Sequence, residues 1–252
     1  MSGFGTMLAK ELREIQHTWR IWVTLGTFAF FGIADPVIAR FSPEILASVV
    51  GDEIPITLPP ATAASAWAQW TGDLAQLLAL VIIAVAGASV AGEVASGTAI
   101  LPLAKPIGRP AFVLAKFCGV VVLAVVSVVL GTALATGTTA LLFDELDVGA
   151  VWTAAGVWLV LAVLLVAITM LGSALVSSSM AAFLVGFGAY ILISLVGIWQ
   201  PARAYSPAGL NGVISSLATG QEAHLAWPVG TALVIAAAAL AAAVWVFRKR
   251  EL

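Results

Sequence analysis

Apolar residues run along this chain in six long blocks, at about 21–39, 74–92, 117–142, 151–176, 181–199 and 226–247, and polar residues gather between them. A helix needs about 20 mostly apolar residues to cross the hydrocarbon core of a bilayer. Each block reaches or approaches that length. None alternates apolar with polar, and each is about twice as long as the 9–11 residues of a barrel strand, so transmembrane β-strands do not fit. The pattern predicts six spanning α-helices. The first ends near Asp35-Pro36. The second extends backwards as a helix to about Thr62, just past Pro59-Pro60, and leaves the lipid as it does so. The third and fourth are long enough to tilt.

Before the first block, Phe4, Leu8, Leu12, Ile15, Trp19 and Trp22 recur at spacings of three and four. They form one apolar helical stripe, broken only by Glu11 beside Leu12. Lys10, Arg13, Glu14, Gln16 and Arg20 fall mostly off it. Such an amphipathic helix can lie in the membrane interface with its basic residues near lipid phosphates. Anchoring at the surface and docking of a cytoplasmic partner both fit, and the two are compatible. The segment carries Glu11 and Glu14 and is about twenty residues long, which differs from the short basic start of a cleaved signal peptide, so retention is expected.

Composition strengthens the membrane reading. Of 252 residues, 62% are hydrophobic and 10% charged, against about 25% charged in soluble domains. The chain therefore uses lipid as its solvent and is expected in the cell (plasma) membrane as a multi-pass protein. Cys118 is the one cysteine, so there is no internal disulfide and no cysteine metal cage.

The placement of charge predicts orientation. With the N-terminus inside, the inner segments hold Lys10, Arg13, Arg20, Lys105, Arg109, Lys116, Arg248, Lys249 and Arg250, and the outer ones only Arg40 and Arg203. That nine-to-two excess predicts N-in, C-in. Acids such as Glu44, Asp52, Asp73, Asp144 and Glu222 fall outside, and the inner "SSSM" link at 177–180 is uncharged. Trp19, Trp22, Trp152, Trp199, Trp227 and Trp245 sit near predicted helix ends, where indole rings prefer the interface, while Trp158 is expected to pack within the bundle.

The outer segments 40–73 and 200–225 each contain Ser-Pro followed by apolar spacing. A short helix capped by Ser42 is predicted in the first, and one capped by Ser206 and ending near Gly220 in the second. Covering the bundle and gating a substrate are both open roles. Ala84, Ala88 and Gly92 recur every fourth residue, and Ala236 with Ala239 to Ala243 more loosely. Small faces let helices approach closely in lipid, within one subunit or at a dimer seam. Gly186 and Gly188 fall in the fifth span without an assigned role.

No sequence G-x-x-x-x-G-K-[ST] or H-E-x-x-H occurs, and His17 and His224 fall on opposite sides of the membrane. No catalytic set converges, so an intramembrane enzyme is the weakest reading. Asp35 is the ionisable residue nearest to mid-membrane. It reads as a helix-end residue before Pro36, or alternatively as a lining residue of an exit path.

The stretch "GEVASGTAILPLAKPIGRPAFVLAK", residues 92–116, concentrates charge, glycine and proline between two spans. Ser96, Gly97 and Thr98 break the incoming helix, Ala99 to Ala104 continue apolar around Pro102, and Pro106 and Pro110 stop helix propagation. Lys116 is placed to snorkel from the next span. A loop that only orients the hairpin needs basic residues alone. It does not call for Glu93, a Ser-Gly-Thr break and a short apolar element.

This stretch resembles the first cytoplasmic loop of ABC-2-type transporter permeases. The shared features are Glu93, Gly97-Thr98, the short hydrophobic element Ile100 to Leu103, Pro106 with Arg109, and Lys116. "KELREIQHTWR" at 10–20 is similar to that family's N-terminal elbow, and "YSPAGL" at 205–210 to its outer segment before the last span. Pro102 departs from the family's unbroken leucine-rich helix. The resemblance implies a single all-α transmembrane permease domain over 1–252, with an elbow helix at 1–20 and a coupling loop at 93–116. It implies an ATPase-coupling surface of Glu93, Gly97, Thr98, Lys105 and Arg109, and an elbow interface of Lys10, Arg13, Trp19 and Arg20. ATP and Mg would be bound by a separate ABC ATP-binding subunit, with no cofactor in this chain. The chain would pair with a copy of itself or a second permease, in the lipid bilayer and without nucleic acid. It would not itself be an enzyme. A non-transporting assembly or sensory subunit that docks a cytoplasmic partner through the same loop is the alternative.

Overall fold

The computed structural model describes residues 3–50, 60–98, 108–144 and 147–250. All regular structure among them is helical: α1 (Phe4–His17), α2 (Trp19–Val50), α3 (Ala63–Asp73), α4 (Ala79–Ala95), α5 (Arg109–Leu142), α6 (Val148–Leu175), α7 (Ser179–Val196), α8 (Gln200–Tyr205), α9 (Leu210–Ala218) and α10 (Ala226–Lys249). A π-helical turn, Leu74–Leu78, joins α3 to α4, and a 3₁₀ turn, Pro207–Gly209, leads into α9. Six helical stretches are long and apolar enough to cross a membrane: Trp19–Leu46, Ala63–Ala95, Arg109–Leu142, Val148–Leu175, Ser179–Val196 and Ala226–Lys249. Every predicted span lies within or nearly within one of them.

Helix boundaries follow local chemistry. Thr62 caps α3 in a capping box: its hydroxyl accepts from the Ser65 amide at 3.3 Å, and the Ser65 hydroxyl accepts from the Thr62 amide at 3.2 Å. Ser206 accepts from the Ala208 amide at 3.3 Å, and Gly220, at φ +71°, follows the end of α9, as predicted for a helix capped and stopped there.

Two boundaries differ from the sequence reading. α2 continues through Pro36 and Pro43 to Val50. Ser42 therefore caps no new helix, and its hydroxyl donates to the Ala39 carbonyl at 3.3 Å. Asp35 is not at a helix end either. It is fully buried, and neither carboxylate oxygen has a hydrogen-bond partner among the described residues. α5 begins at Arg109, about two turns before its predicted start, because Pro110 sits in the first turn, where a missing N–H costs nothing.

α6 runs through the middle of the bundle. Val151, Trp158, Leu161, Leu165 and Met170 are fully or almost fully buried along it. The Trp158 indole donates to the Leu74 carbonyl at 2.6 Å, at the π turn, and its ring meets Phe28 edge-on. Glycines allow the closest helix approaches. A Cβ on Gly32 of α2 would lie 2.5 Å from the Gly131 carbonyl oxygen of α5, and one on Gly131 would lie 2.5 Å from the Trp70 ring. Gly186 similarly admits Thr169 of α6 and Ile83 of α4, whereas Gly188 faces open space. Ala236, Ala239 and Ala243 point inward, so this small-residue face packs within the subunit.

The outer surface of the long helices is apolar. Phe30, Ile33 and Val37 on α2 and Val122, Val126 and Val129 on α5 are exposed along single rows. Such rows face lipid in a membrane protein and would be costly in water. The helices alternate in direction. One end of the bundle, here the proximal end, therefore gathers α1, the start of α2, the turn after α4, the start of α5, the end of α6 and the end of α10.

Candidate functional site: a buried ion cluster at the proximal end

Lys116 lies two turns into α5 and is 1% exposed. It does not snorkel. Its ammonium donates to both oxygens of Glu11 on α1, each at 3.1 Å, and to Glu93 Oε1 on α4 at 2.7 Å. The Phe112 ring, one turn earlier on α5, lies 5.0 Å from Nζ. Lys10 donates to Glu11 at 3.2 Å, to Glu93 at 3.3 Å, and to Glu14 one turn along α1.

Sequence spacing builds this contact. Glu11 and Ile15 share one face of α1, and Lys116 and Gly119 share one face of α5. A Cβ on Gly119 would come within 3.2 Å of Ile15 Cδ1 and 3.5 Å of Glu11 Cβ, so glycine there lets α1 close on α5. Met7, Glu11 and Ile15 are the buried residues of α1, while Phe4 and Leu8 are partly buried against the core.

Buried charges are tolerated only when paired. The carboxylates of Glu11, Glu14 and Glu93 come within 4.8 Å of one another, and the two lysine ammoniums lie among them. One formal negative charge is left over, and Glu93 Oε2 has no partner among the described residues. Burial pushes the Lys10 ammonium down, but the Glu14 hydrogen bond and the charges of Glu11, Glu93 and Glu14 outweigh it and hold its pKa above the ordinary 10.5. Burial pushes Glu14 up, but the Lys10 hydrogen bond and the charges of Lys116, Lys10 and Arg20 hold it below 4.5. What the cluster does is electrostatic and mechanical: it fastens α1 to the helices on both sides of the 96–108 segment.

A second set of contacts ties the same end together. Arg109 Nη1 donates to the carbonyls of Arg248 and Arg250, both at 2.8 Å. Arg250 Nη1 donates to Ala174 and Val176 at 2.9 and 3.1 Å, capping the end of α6 with a cation where the helix dipole favours one. Arg20 reaches the Ala88 carbonyl at 3.4 Å.

A family model described as "Protein of unknown function (DUF2705)" matches residues 54–252. The chain belongs to the DUF2705 family. The match takes in Glu93, Arg109 and Lys116 of the DUF2705 chain, whereas Lys10, Glu11 and Glu14 precede it. No curated protein matches this DUF2705 chain.

Of the residues singled out by sequence, Lys10 and Glu93 meet in the cluster. Glu93 is buried, with its Oε1 turned to Lys116 and Lys10. Gly97, at φ +72°, and Thr98 form an exposed turn, closed by Ser96 and Thr98 hydroxyls 2.8 Å apart. Arg109 joins the C-terminal set, and Arg20 binds α4. Arg13 and Trp19 are exposed. Pro102, Lys105 and Pro106 lie outside the described residues. Sequence reading did not place Glu11, Glu14 and Lys116 in a site. The signal was present in one of them: an acid interrupting an apolar stripe needs a buried cation opposite.

Proposed function

We propose that this chain is the six-span permease subunit of an ATP-binding cassette exporter, moving a substrate outward with ATP and Mg held by a separate ATPase subunit. The observation that carries the reading is the Glu11–Lys116–Glu93 cluster. It joins the N-terminal helix to the helices that enter and leave the 96–108 segment. In this reading the proximal end is cytoplasmic, in accord with the excess of lysine and arginine there, and α1 is the interfacial elbow. Force arriving at the segment reaches α1, α4 and α5 together. The exposed Gly97-Thr98 turn and Lys105 meet the ATPase. Glu93 and Arg109, committed to contacts within the chain, act as positioning residues. The working unit is a pair of permeases with two ATPases in the plasma membrane.

A mild-detergent pull-down of the intact chain from its native membrane, with mass spectrometry, tests this. A stoichiometric ATP-binding cassette ATPase is the expected companion. Its reproducible absence from folded protein, with a partner lacking ATPase activity in its place, overturns the reading in favour of an assembly or sensory subunit. In the reconstituted complex, Glu93→Gln is expected to leave ATP hydrolysis running while transport falls.

A further inference from the structure

Asp35 sits about 24 Å along α2 from its start at Trp19, at 1.5 Å per residue, well inside the span. Its side chain is fully buried, and neither oxygen accepts a hydrogen bond among the described residues. The group it faces is the Asp73 carboxyl at the end of α3, close enough for a hydrogen bond between the two side chains. Asp73 is half-buried, and its Oδ2 accepts a long hydrogen bond, 3.5 Å, from the exposed Gln69 amide.

No cation balances this pair among the described residues. Arg40, farther along α2, is turned to Glu44 at 3.5 Å. Arg20, at the start of α2, reaches the Ala88 carbonyl. On the neighbouring α4 and α5 the charged residues are Glu93, Arg109 and Lys116, all committed to contacts at the proximal end, where α1 also lies. The π turn, α6 and α9, which pack against α3, carry no charged residue. An ionised carboxylate only accepts hydrogen bonds. With both acids ionised, Asp35 is a bare buried charge beside a like charge, which is costly on two counts. One proton removes both faults. It neutralises Asp35, ends the repulsion and supplies the donor that the contact needs.

We infer that Asp35 and Asp73 bind one exchangeable proton between them, with Asp35 as the protonated member and Asp73 as the member that reaches the molecular surface. A metal ion fits the pair less well. Hard divalent cations take six or more oxygen ligands, or keep several waters. No third carboxylate, histidine or cysteine converges with these two among the described residues, and the burial of both Asp35 oxygens leaves no room for a hydrated ion. A proton needs no room. Ionisable residues inside spans characteristically mark proton and ion pathways. The inference stands apart from the exporter reading, since the site is complete within one chain and needs neither nucleotide nor ATPase.

The test is infrared difference spectroscopy of the intact chain in an alkyl maltoside, a detergent without a carbonyl. At neutral pH a protonated-carboxyl C=O band is expected that is missing from Asp35→Asn. It should shift on transfer to deuterium oxide, and it should vanish in one reversible step as pH is raised at fixed salt. Asp73→Asn should move the band to higher frequency, because an amide oxygen accepts a weaker hydrogen bond than a carboxylate. Thermal unfolding checks that both near-isosteric variants fold. The absence of a band assignable to Asp35 overturns the inference. So does a band that neither exchanges nor titrates, or one that Asp73→Asn leaves in place. Loss of the band on adding sodium or calcium at constant pH would assign the pair to a metal cation instead.

Discussion

Replacing Lys116 by methionine removes the cation from the centre of the proximal cluster and keeps an unbranched apolar stem of nearly the same length. Glu11 and Glu93, with side chains 6% and 11% exposed, are then left facing each other. Breaking a buried ion pair by deleting one partner costs about 3–5 kcal/mol. Lys10 still reaches both carboxylates, at 3.2 and 3.3 Å, so the lower end, about 3 kcal/mol, is expected. For a chain of this size that corresponds to a fall in Tm of roughly 6–12 °C. The assay is thermal unfolding of the purified chain in one detergent, read by tryptophan fluorescence. Glu11→Gln and Glu93→Gln added to Lys116→Met should recover most of the loss, because no unpaired charge remains. A double-mutant cycle between Glu11→Gln and Lys116→Met separates coupling from packing. A coupling energy near zero, or a loss from Lys116→Met below about 1 kcal/mol, would refute the claim that this cluster holds α1 in place.

Other measurements bear on separate features. Gly32→Ala should destabilise by about 1–3 kcal/mol, because its Cβ meets backbone at 2.5 Å and cannot be relieved by a rotamer change; an unchanged Tm would mean α2 and α5 pack less closely than described. Trp158→Phe should cost about 1–3 kcal/mol through the carbonyl of Leu74 at the π turn, with faster amide exchange in 74–79 as its local signature. Arg109→Lys should restore only part of what Arg109→Ala loses, since both bonds come from the single Nη1 and the lysine side chain ends one bond short of it; amide exchange near Phe247–Arg250 reads this directly. The docking of α1 should be level in the middle of the pH range. Glu14, lowered from 4.5, contributes stability that is present above 4.5 and lost as pH falls through its folded value, and Lys10, raised from 10.5, contributes stability lost only as pH climbs past 10.5. Limited proteolysis of residues 4–17 across pH checks this, and a midpoint near neutrality would contradict it.

The spans were legible because each is a long apolar run, and no soluble alternative could bury so many. The Thr62 and Ser206 caps were legible because a capping hydroxyl acts on its own neighbours. What sequence could not give depends on partners far along the chain. Proline read as a stop at 110, as the neighbourhood of one at 36, and as the first turn of a new helix at 43. At 36 and 43 α2 continues through the proline, and at 110 the first turn tolerates it. Asp35 looked like a boundary residue until the helix was seen to continue past it. Lys116 looked like an interfacial lysine because its partners stand 105 and 23 positions away. Glu93 was singled out by resemblance as part of a contact surface, and its contacts to Lys116 and Lys10 lie 23 and 83 positions away. The π turn has no sequence signature at all.

The cluster also fixes an order of events during synthesis. Its three central members stand at positions 11, 93 and 116, so it cannot close until the third span has begun to emerge. Until then Glu11 and Glu93 remain hydrated, and α1 has no cation on α5 to dock against. The first helix to be made therefore reaches its final place only after two spans have followed it and a third has begun. A ribosome stalled short of residue 116 would display α1 undocked and open to proteases or to a chaperone, whatever the state of the two spans already inserted.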